Sequence, residues 1–248
     1  ETHAVQGELA AYGAQPQWFG LGDLDLGTHI ARSQWLGQGL SLSEVTARLC
    51  ARWGLPDRGI RLLPMTDSPV ETHVVIDGDG DAPARAIHFQ EWWVRHRAAL
   101  PASAIIAVGA QTSTPAPGVL DAIAAADLVL LPPSNPVVSI GTVLQVPGVR
   151  EALAVKTVVG VSPIIGGSPV RGMADACLDA IGVETSTQAV GRHYGARSSG
   201  GLLDGWLVDT SDAGATVPGV RVRAVPLLMS DLHATAAMAR AALELAGA

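Results

Sequence analysis

Between residues 101 and 248, runs of apolar, mostly β-branched residues alternate with alanine-rich helical stretches, and this rhythm constrains the fold more than any other feature of the chain. Such alternation builds βαβ units around a parallel sheet, because each buried strand must be covered by a helix before the next one pairs. Three units are predicted. The first runs from the strand Asp127-Leu-Val-Leu-Leu131 through the loop Pro132-Pro-Ser-Asn-Pro136 into a helix beginning near Ser139. The second runs from Thr157-Val-Val-Gly-Val161 through the loop Ser162 to Pro169 into a helix over Gly172 to Ile181. The third runs from Val220-Arg-Val-Arg-Ala-Val225 through Pro226 to Asp231 into a terminal helix. All three loops leave the carboxyl end of a strand, which is the edge of an open α/β sheet where ligands bind.

The first hundred residues have a different pattern. Helices are predicted at about Leu26 to Leu36 and Leu42 to Trp53, the second opening on Ser41-Leu-Ser-Glu44, a capping-box sequence, and stopping at Gly54. Val70 to Ile76 and Arg85 to Phe89 read as two strands joined through Asp77-Gly-Asp-Gly-Asp81, and a helix follows from Gln90 to Arg97. Residues 1–100 therefore read as a helical and hairpin segment of the same domain whose βαβ core spans 101–248. No internal repeat of fixed period is present.

Composition removes several classes. With 48% hydrophobic and 16% charged residues the chain is not disordered, and no apolar run approaches the ~18 residues of a membrane span. A net charge of −7 argues against capture of nucleic acid, which needs a basic face. Every basic residue except Lys156 is arginine. The two cysteines, Cys50 and Cys177, are far apart and lack a clustered histidine, so neither a disulfide framework nor a zinc site is indicated and a reducing cytoplasm is expected. The phosphate-binding G-x-x-x-x-G-K-[ST], the dinucleotide G-x-G-x-x-G and the metalloprotease H-E-x-x-H are absent, and Gly160-Val-Ser-Pro-Ile164 lacks the second glycine of a nucleophile elbow. The Asp77, Asp79, Asp81 run fails as a calcium loop, with Ala82 where glycine and His88 where glutamate are required, and reads as a solvated turn.

Three segments carry candidate chemistry. In Leu21-Gly-Asp-Leu-Asp-Leu-Gly-Thr-His-Ile-Ala-Arg32 a helix starting near Asp25 puts Asp25, His29 and Arg32 at i, i+4 and i+7, on one face. The alternative is a surface helix with an aspartate at its start. Ser134-Asn-Pro136 and Ser162-Pro-Ile-Ile-Gly-Gly167 place hydroxyl, amide and glycine residues at strand ends, where a phosphate approaches backbone N–H groups; ordinary βα connections remain the alternative. Phe89, Trp92 and Trp93 read as packing of the hairpin on the sheet rather than as a stacking platform.

Taken together, Gly22 to Arg32, Leu63-Pro-Met-Thr-Asp67, Glu71-Thr-His-Val-Val75, His88-Phe-Gln-Glu-Trp-Trp93, Pro133-Ser-Asn-Pro136, Ser162-Pro-Ile-Ile-Gly166 and Gly191-Arg-His-Tyr194 resemble the CofD/FbiA family, the 2-phospho-L-lactate transferases of coenzyme F-420 biosynthesis. His88 to Trp93, Arg171-Gly-Met-Ala-Asp175 and Gly191 to Ala196 bring the FbiA branch nearest. The resemblance implies an α/β fold with a Rossmann-like, mostly parallel sheet, helices on both faces and a smaller helical and hairpin subdomain. It implies an enzyme that moves a phosphoenolpyruvyl or phospholactyl group from a guanosine-diphosphate-activated acid to the deazaflavin Fo with release of GMP, giving dehydro-F-420-0 or F-420-0. Mg²⁺ dependence and a homodimer are implied as well. Family chains begin some tens of residues earlier, with a glycine-rich strand-to-helix loop and aspartates that hold the metal, so the first strand and the principal Mg²⁺ ligands are expected before Glu1.

On that resemblance Asp23, Thr28, His29, Arg32, Met65 and Asp67 are expected to face Fo. Ser134, Asn135, Ser139, Ser162 and Gly166 are expected to line the guanosine diphosphate, and Asp25 and His29 are the candidates for a general base. The rival class is a CofD-like regulator that binds a nucleotide sugar without catalysis, against which the segments Gly22 to Arg32 and His88 to Trp93 speak.

Overall fold

The computed structural model describes residues 2–78 and 83–247. It opens with helices α1 (Thr2–Ala11), α2 (Asp23–Gly37) and α3 (Leu42–Arg52), then strands β1 (Glu71–Ile76), β2 (Arg85–His88) and β3 (Ala102–Val108). The chain continues through α4 (Val119–Ala125), β4 (Val129–Leu131), a π-helical turn (Pro136–Ile140) running into α5 (Gly141–Val143), and α6 (Val149–Ala154). The remainder comprises β5 (Val158–Val161), the short pair β6 (Ile164–Ile165) and β7 (Ser168–Pro169), α7 (Ala174–Asp179), α8 (Thr187–Tyr194), β8 (Gly205–Val208), β9 (Arg221–Ala224) and α9 (Leu232–Ala246). Among the described residues no helix is long and apolar enough to cross a membrane.

Four parallel strands form the main sheet in the order β4-β5-β8-β9. The two central strands, Val158-Val-Gly-Val161 and Gly205-Trp-Leu-Val208, are buried along their whole length, as strands covered on both faces must be. One face packs Val158, Trp206 and Val208 against Ala174 and Leu178 of α7 and Val190 and Tyr194 of α8. The other packs Val159, Val161 and Leu207 against Met238, Ala241 and Ala242 of α9. The predicted α/β fold with helices on both faces is therefore present. The sequence reading passed over β8, the third strand of this sheet, because its four residues follow a turn-rich stretch and contain a glycine.

Trp206 organises the first face. It pairs in register with Gly160, and a Cβ at Gly160 would lie 2.6 and 2.8 Å from its ring. Its Nε1 donates to the Thr187 carbonyl at 3.1 Å, and Tyr194 meets its ring edge-on at 5.9 Å. A Cβ at Gly191 would fall 2.6 Å from Val217 and 3.2 Å from Trp206 Nε1. The Gly191 to Tyr194 motif thus serves close packing under the sheet.

A second sheet, antiparallel in the order β2-β1-β3, contains the predicted hairpin. Its residues Val74 and Ile76 join Phe89, Trp92 and Cys177 in a separate core cluster that also receives Val137 and Val138. Of the turn Asp77 to Asp81, residues 79–81 lie outside the described residues. The helix predicted over Gln90 to Arg97 is instead a single π-helical turn, Glu91–Arg95, followed by Arg97 and Ala98 at φ 51° and 53°. Trp92 is 1% exposed, its Nε1 donating to the Leu100 carbonyl at 2.8 Å, which is the packing role expected of it.

Candidate functional site at the carboxyl edge of the sheet

Because the four strands are parallel, the loops that follow them leave from one edge. After β4, Asn135 accepts from Val137 N–H at 2.9 Å and Val138 N–H at 3.1 Å and so caps the helical segment that starts at Pro136. Its amide lies beside the Cys177 thiol, whose pKa burial pushes up while this contact opposes the rise. The hydroxyls of Ser134 and Ser139, both half-buried, make no hydrogen bond to the described residues.

After β5, Ser162 is 1% exposed and its hydroxyl closes a turn, donating to the Ile164 carbonyl at 2.8 Å and accepting from Ile164 N–H at 3.1 Å. Ser162 therefore shapes the loop with a hydroxyl already engaged. This loop forms a hairpin: β6 pairs with β7 across Gly166 and Gly167. Both glycines have positive φ, 57° and 81°, the conformation that a two-residue turn of this hand requires. The Gly166 N–H donates to Asp212 Oδ2 at 2.9 Å.

After β8 come Asp209 and Asp212, which sequence reasoning missed together with their strand. Asp209 is 8% exposed, and its Oδ1 accepts from the Ser211 N–H and the Ser211 hydroxyl, each at 2.9 Å. Its Oδ2 accepts from Leu227 N–H at 3.0 Å, in the loop after β9. The Ser211 N–H above all, with the Leu227 N–H and the Ser211 and Thr210 hydroxyls, holds this carboxyl below the usual range against the opposing push of burial. The available signal was Leu-Val-Asp-Thr-Ser-Asp, an apolar run ending on a residue that bonds the backbone two positions on.

The amino edge is sealed in another way. Asp204, just before β8, accepts from Val158 N–H at 3.0 Å and takes Arg197 in a two-pronged pair with contacts from 2.6 to 2.9 Å. Burial pushes this carboxyl up, but the Arg197 pair, the Val158 N–H and the field of Arg221 outweigh it and hold it below its ordinary value.

The residues expected to face Fo come mostly from one helix. Asp23, Asp25, Thr28, His29 and Arg32 all lie on α2, with Asp23 and Asp25 in its first turn, where two carboxylates complement the helix dipole. Thr28 Oγ1 donates to the Leu24 carbonyl at 2.9 Å. No hydrogen bond or ion pair among the described residues joins Asp25, His29 and Arg32 to one another or to the loops of the sheet edge. α2 buries none of its residues and meets α3 where Arg48 lies 5.5 Å over the Trp35 ring. Asp67 Oδ1 accepts from Ser43 N–H at 2.7 Å and the Ser43 hydroxyl at 2.8 Å, anchoring α3, while Met65 packs against Val146, Val149 and Leu202. The predicted capping box at Ser41 and Glu44 is formed.

Among the described residues no group of three or more His, Cys, Asp or Glu side chains is placed to hold a metal ion. Asp209 has both carboxylate oxygens engaged and Asp212 one, so these residues do not by themselves make the Mg²⁺ site that the resemblance implies.

A parallel sheet clad by helices on both faces, with capped, serine- and glycine-bearing loops gathered at its carboxyl edge, defines a Rossmann-like α/β protein. The model of the family 2-phospho-L-lactate transferase CofD matches residues 1–223, and the chain belongs to that family. It is 63% identical to a phosphoenolpyruvate transferase of Thermobifida fusca over 99% of this chain and 74% of that one. It is 61% identical to one of Streptomyces griseus, over 99% and 76%, and 59% identical to one of Mycolicibacterium smegmatis, over 100% and 75%. A crystal structure of a Bacillus halodurans protein has a TM-score of 0.57 at 17% identity, over 90% of this chain and 72% of that one, and a second, described as a member of the UPF0052 family, has 0.55 at 17%, over 88% and 71%. That likeness shows the shared fold.

Proposed function

We propose that the chain moves a phosphoenolpyruvyl group from enolpyruvyl-diphospho-guanosine to the terminal ribityl hydroxyl of Fo, releasing GMP and giving dehydro-F-420-0; a lactyl donor would give F-420-0. The observation that carries this reading is the similarity of 59–63% over 99–100% of the chain to phosphoenolpyruvate transferases. Ser134, Asn135, Ser139 and the Gly166–Gly167 turn supply uncharged donors for the guanosine diphosphate, and Ser162 shapes the turn that carries them. Asp23, Thr28, His29 and Arg32 present polar groups to Fo, with Met65 and Asp67 holding the neighbouring segment.

In the reaction the ribityl oxygen bonds to the β-phosphorus. The bond from that phosphorus to the oxygen bridging it to the α-phosphorus breaks, and GMP leaves with the electron pair. The ribityl proton passes to a base, for which Asp25 and His29 are the candidates on α2. In-line placement supplies most of the rate in phosphoryl transfer, so the base is secondary to positioning. Thermal melts with GDP, Fo and a UDP-sugar test the reading. Stabilisation by GDP and Fo supports it, since a ligand at about a hundred times its Kd adds roughly 2.7 kcal/mol. Stabilisation by the UDP-sugar alone would instead mark a nucleotide-sugar regulator.

A further inference from the structure

We propose that Asp209 and Asp212 are positioning residues that hold the loops after β5, β8 and β9 in the arrangement that receives the diphosphate of the nucleotide donor, an inference that rests on the transferase reading above. Both come from the four-residue segment Asp209-Thr-Ser-Asp212 at the carboxyl end of β8. Asp209 reaches sideways in the sheet, its Oδ2 3.0 Å from Leu227 N, and fixes the start of the loop after β9. Its other oxygen folds its own loop through the Ser211 N–H and hydroxyl. Asp212 reaches the opposite way, 2.9 Å to Gly166 N, and docks the tip of the hairpin that follows β5. Three of the four loops at the ligand edge are thus tied together by two carboxylates.

The chemistry and placement exceed what stability alone would select. A carboxylate buried at the end of a strand is costly unless every lone pair finds a donor, and an apolar side chain would fill the same space at lower cost. Here the bonds run between loops: Asp209 reaches the loop after β9 and Asp212 the hairpin after β5, whereas Asp204 at the amino edge holds the start of β5 and Arg197. The Asp212 bond also sets which way the Gly166–Gly167 turn faces, and so where the remaining N–H of Gly167 is offered. A diphosphate needs such donors fixed in advance, because ordering them on binding subtracts from affinity.

Asp212→Ala and Asp212→Asn, made in the full-length protein, separate this role from a structural one; Asn keeps an acceptor for Gly166 N–H and Ala does not. The proposal expects Asp212→Ala to raise the KM for the donor and the Kd for GDP about 3- to 10-fold, the equivalent of one hydrogen bond. The KM for Fo should stay within twofold, and Asp212→Asn should recover most of the loss. Asp209→Asn, whose amide opposes the Leu227 N–H with a second donor, should raise the same KM and also lower the Tm. Wild-type turnover together with an Asp212→Ala variant of unchanged donor KM and GDP Kd would overturn the positioning role and leave the transferase reading standing, as would equal losses for donor and Fo. A wild-type protein inert towards GDP and donor would overturn both.

Discussion

Asn135 joins the fold to the site, and two substitutions there separate its contributions. Its Oδ1 satisfies the first two N–H groups of the helical segment after β4, at 2.9 and 3.1 Å, and that segment carries Val137 and Val138 into the core beside Trp92. Removing a cap of this kind costs about 1 kcal/mol. For a protein of 248 residues this corresponds to a fall in Tm of roughly 2–4 °C. Asn135→Ala should therefore melt lower by that amount. Asn135→Asp should not, because aspartate caps as well as asparagine does. The side-chain amide lies beside the Cys177 thiol, a weak acceptor, and on the proposed function it is the group that would donate to the nucleotide. Losing a donor to a charged phosphate costs about 1.5–3 kcal/mol, or roughly 10- to 150-fold in Kd. Asp at this position loses that donor and sets a negative charge beside the diphosphate. Calorimetric titration with GDP and thermal melts on the same samples give both numbers. An Asn135→Asp variant that keeps its GDP affinity within twofold would refute the nucleotide role and leave Asn135 a cap alone.

Arg32→Ala should raise the KM for Fo about 10-fold or more while the Kd for GDP stays unchanged, since a charged donor is removed from α2 and nothing is altered at the sheet edge; the reverse pattern in steady-state kinetics would sink the assignment of α2 to Fo. Gly160→Ala should destabilise by about 1–3 kcal/mol, because its Cβ would sit 2.6 Å from the Trp206 ring and 3.1 Å from Leu203; in chemical denaturation Gly160→Ala/Trp206→Leu should lose less than the sum of the single variants. Asp204 has its folded pKa held below its unfolded one, so its stabilisation is present above the unfolded value and is lost as pH falls through the folded value. Melts from pH 7 down to pH 3 should accordingly show Asp204→Asn nearly level with wild type at the acid end and well below it at neutral pH.

Much of the architecture was legible because it rests on patterns that the chain cannot hide. Buried parallel strands need unbroken apolar runs, so Val158 to Val161 stood out, while the edge strand Arg221 to Ala224 showed as arginine alternating with apolar residues; the capping box at Ser41 and the alanine-rich α9 were legible as well. β8 was missed although Trp206 to Val208 is a short apolar run, because its glycine weakens the local signal: Gly205 is demanded by Leu245 and Val159, which a Cβ there would meet at 2.9 and 3.1 Å, pairings of distant residues. The loss of β8 carried Asp209 and Asp212 with it. β3 went unread for a related reason, its partner β1 lying across the hairpin. At the site, the loops after β4 and β5 were found by residue type, but type cannot say that the Ser162 hydroxyl is turned onto Ile164 or that Gly166 N–H is already held by Asp212. The i, i+4, i+7 spacing of Asp25, His29 and Arg32 set them on one helix correctly, while how that helix sits against the sheet edge depends on tertiary placement.

Mass spectrometry of the products formed by the full-length protein from Fo and enolpyruvyl-diphospho-guanosine tests the account most directly. Dehydro-F-420-0 and GMP should form in equal amounts, with turnover lowered by Asn135→Asp through the donor and by Arg32→Ala through Fo. Unchanged Fo and intact donor, from protein that binds GDP and is fully folded, would contradict it.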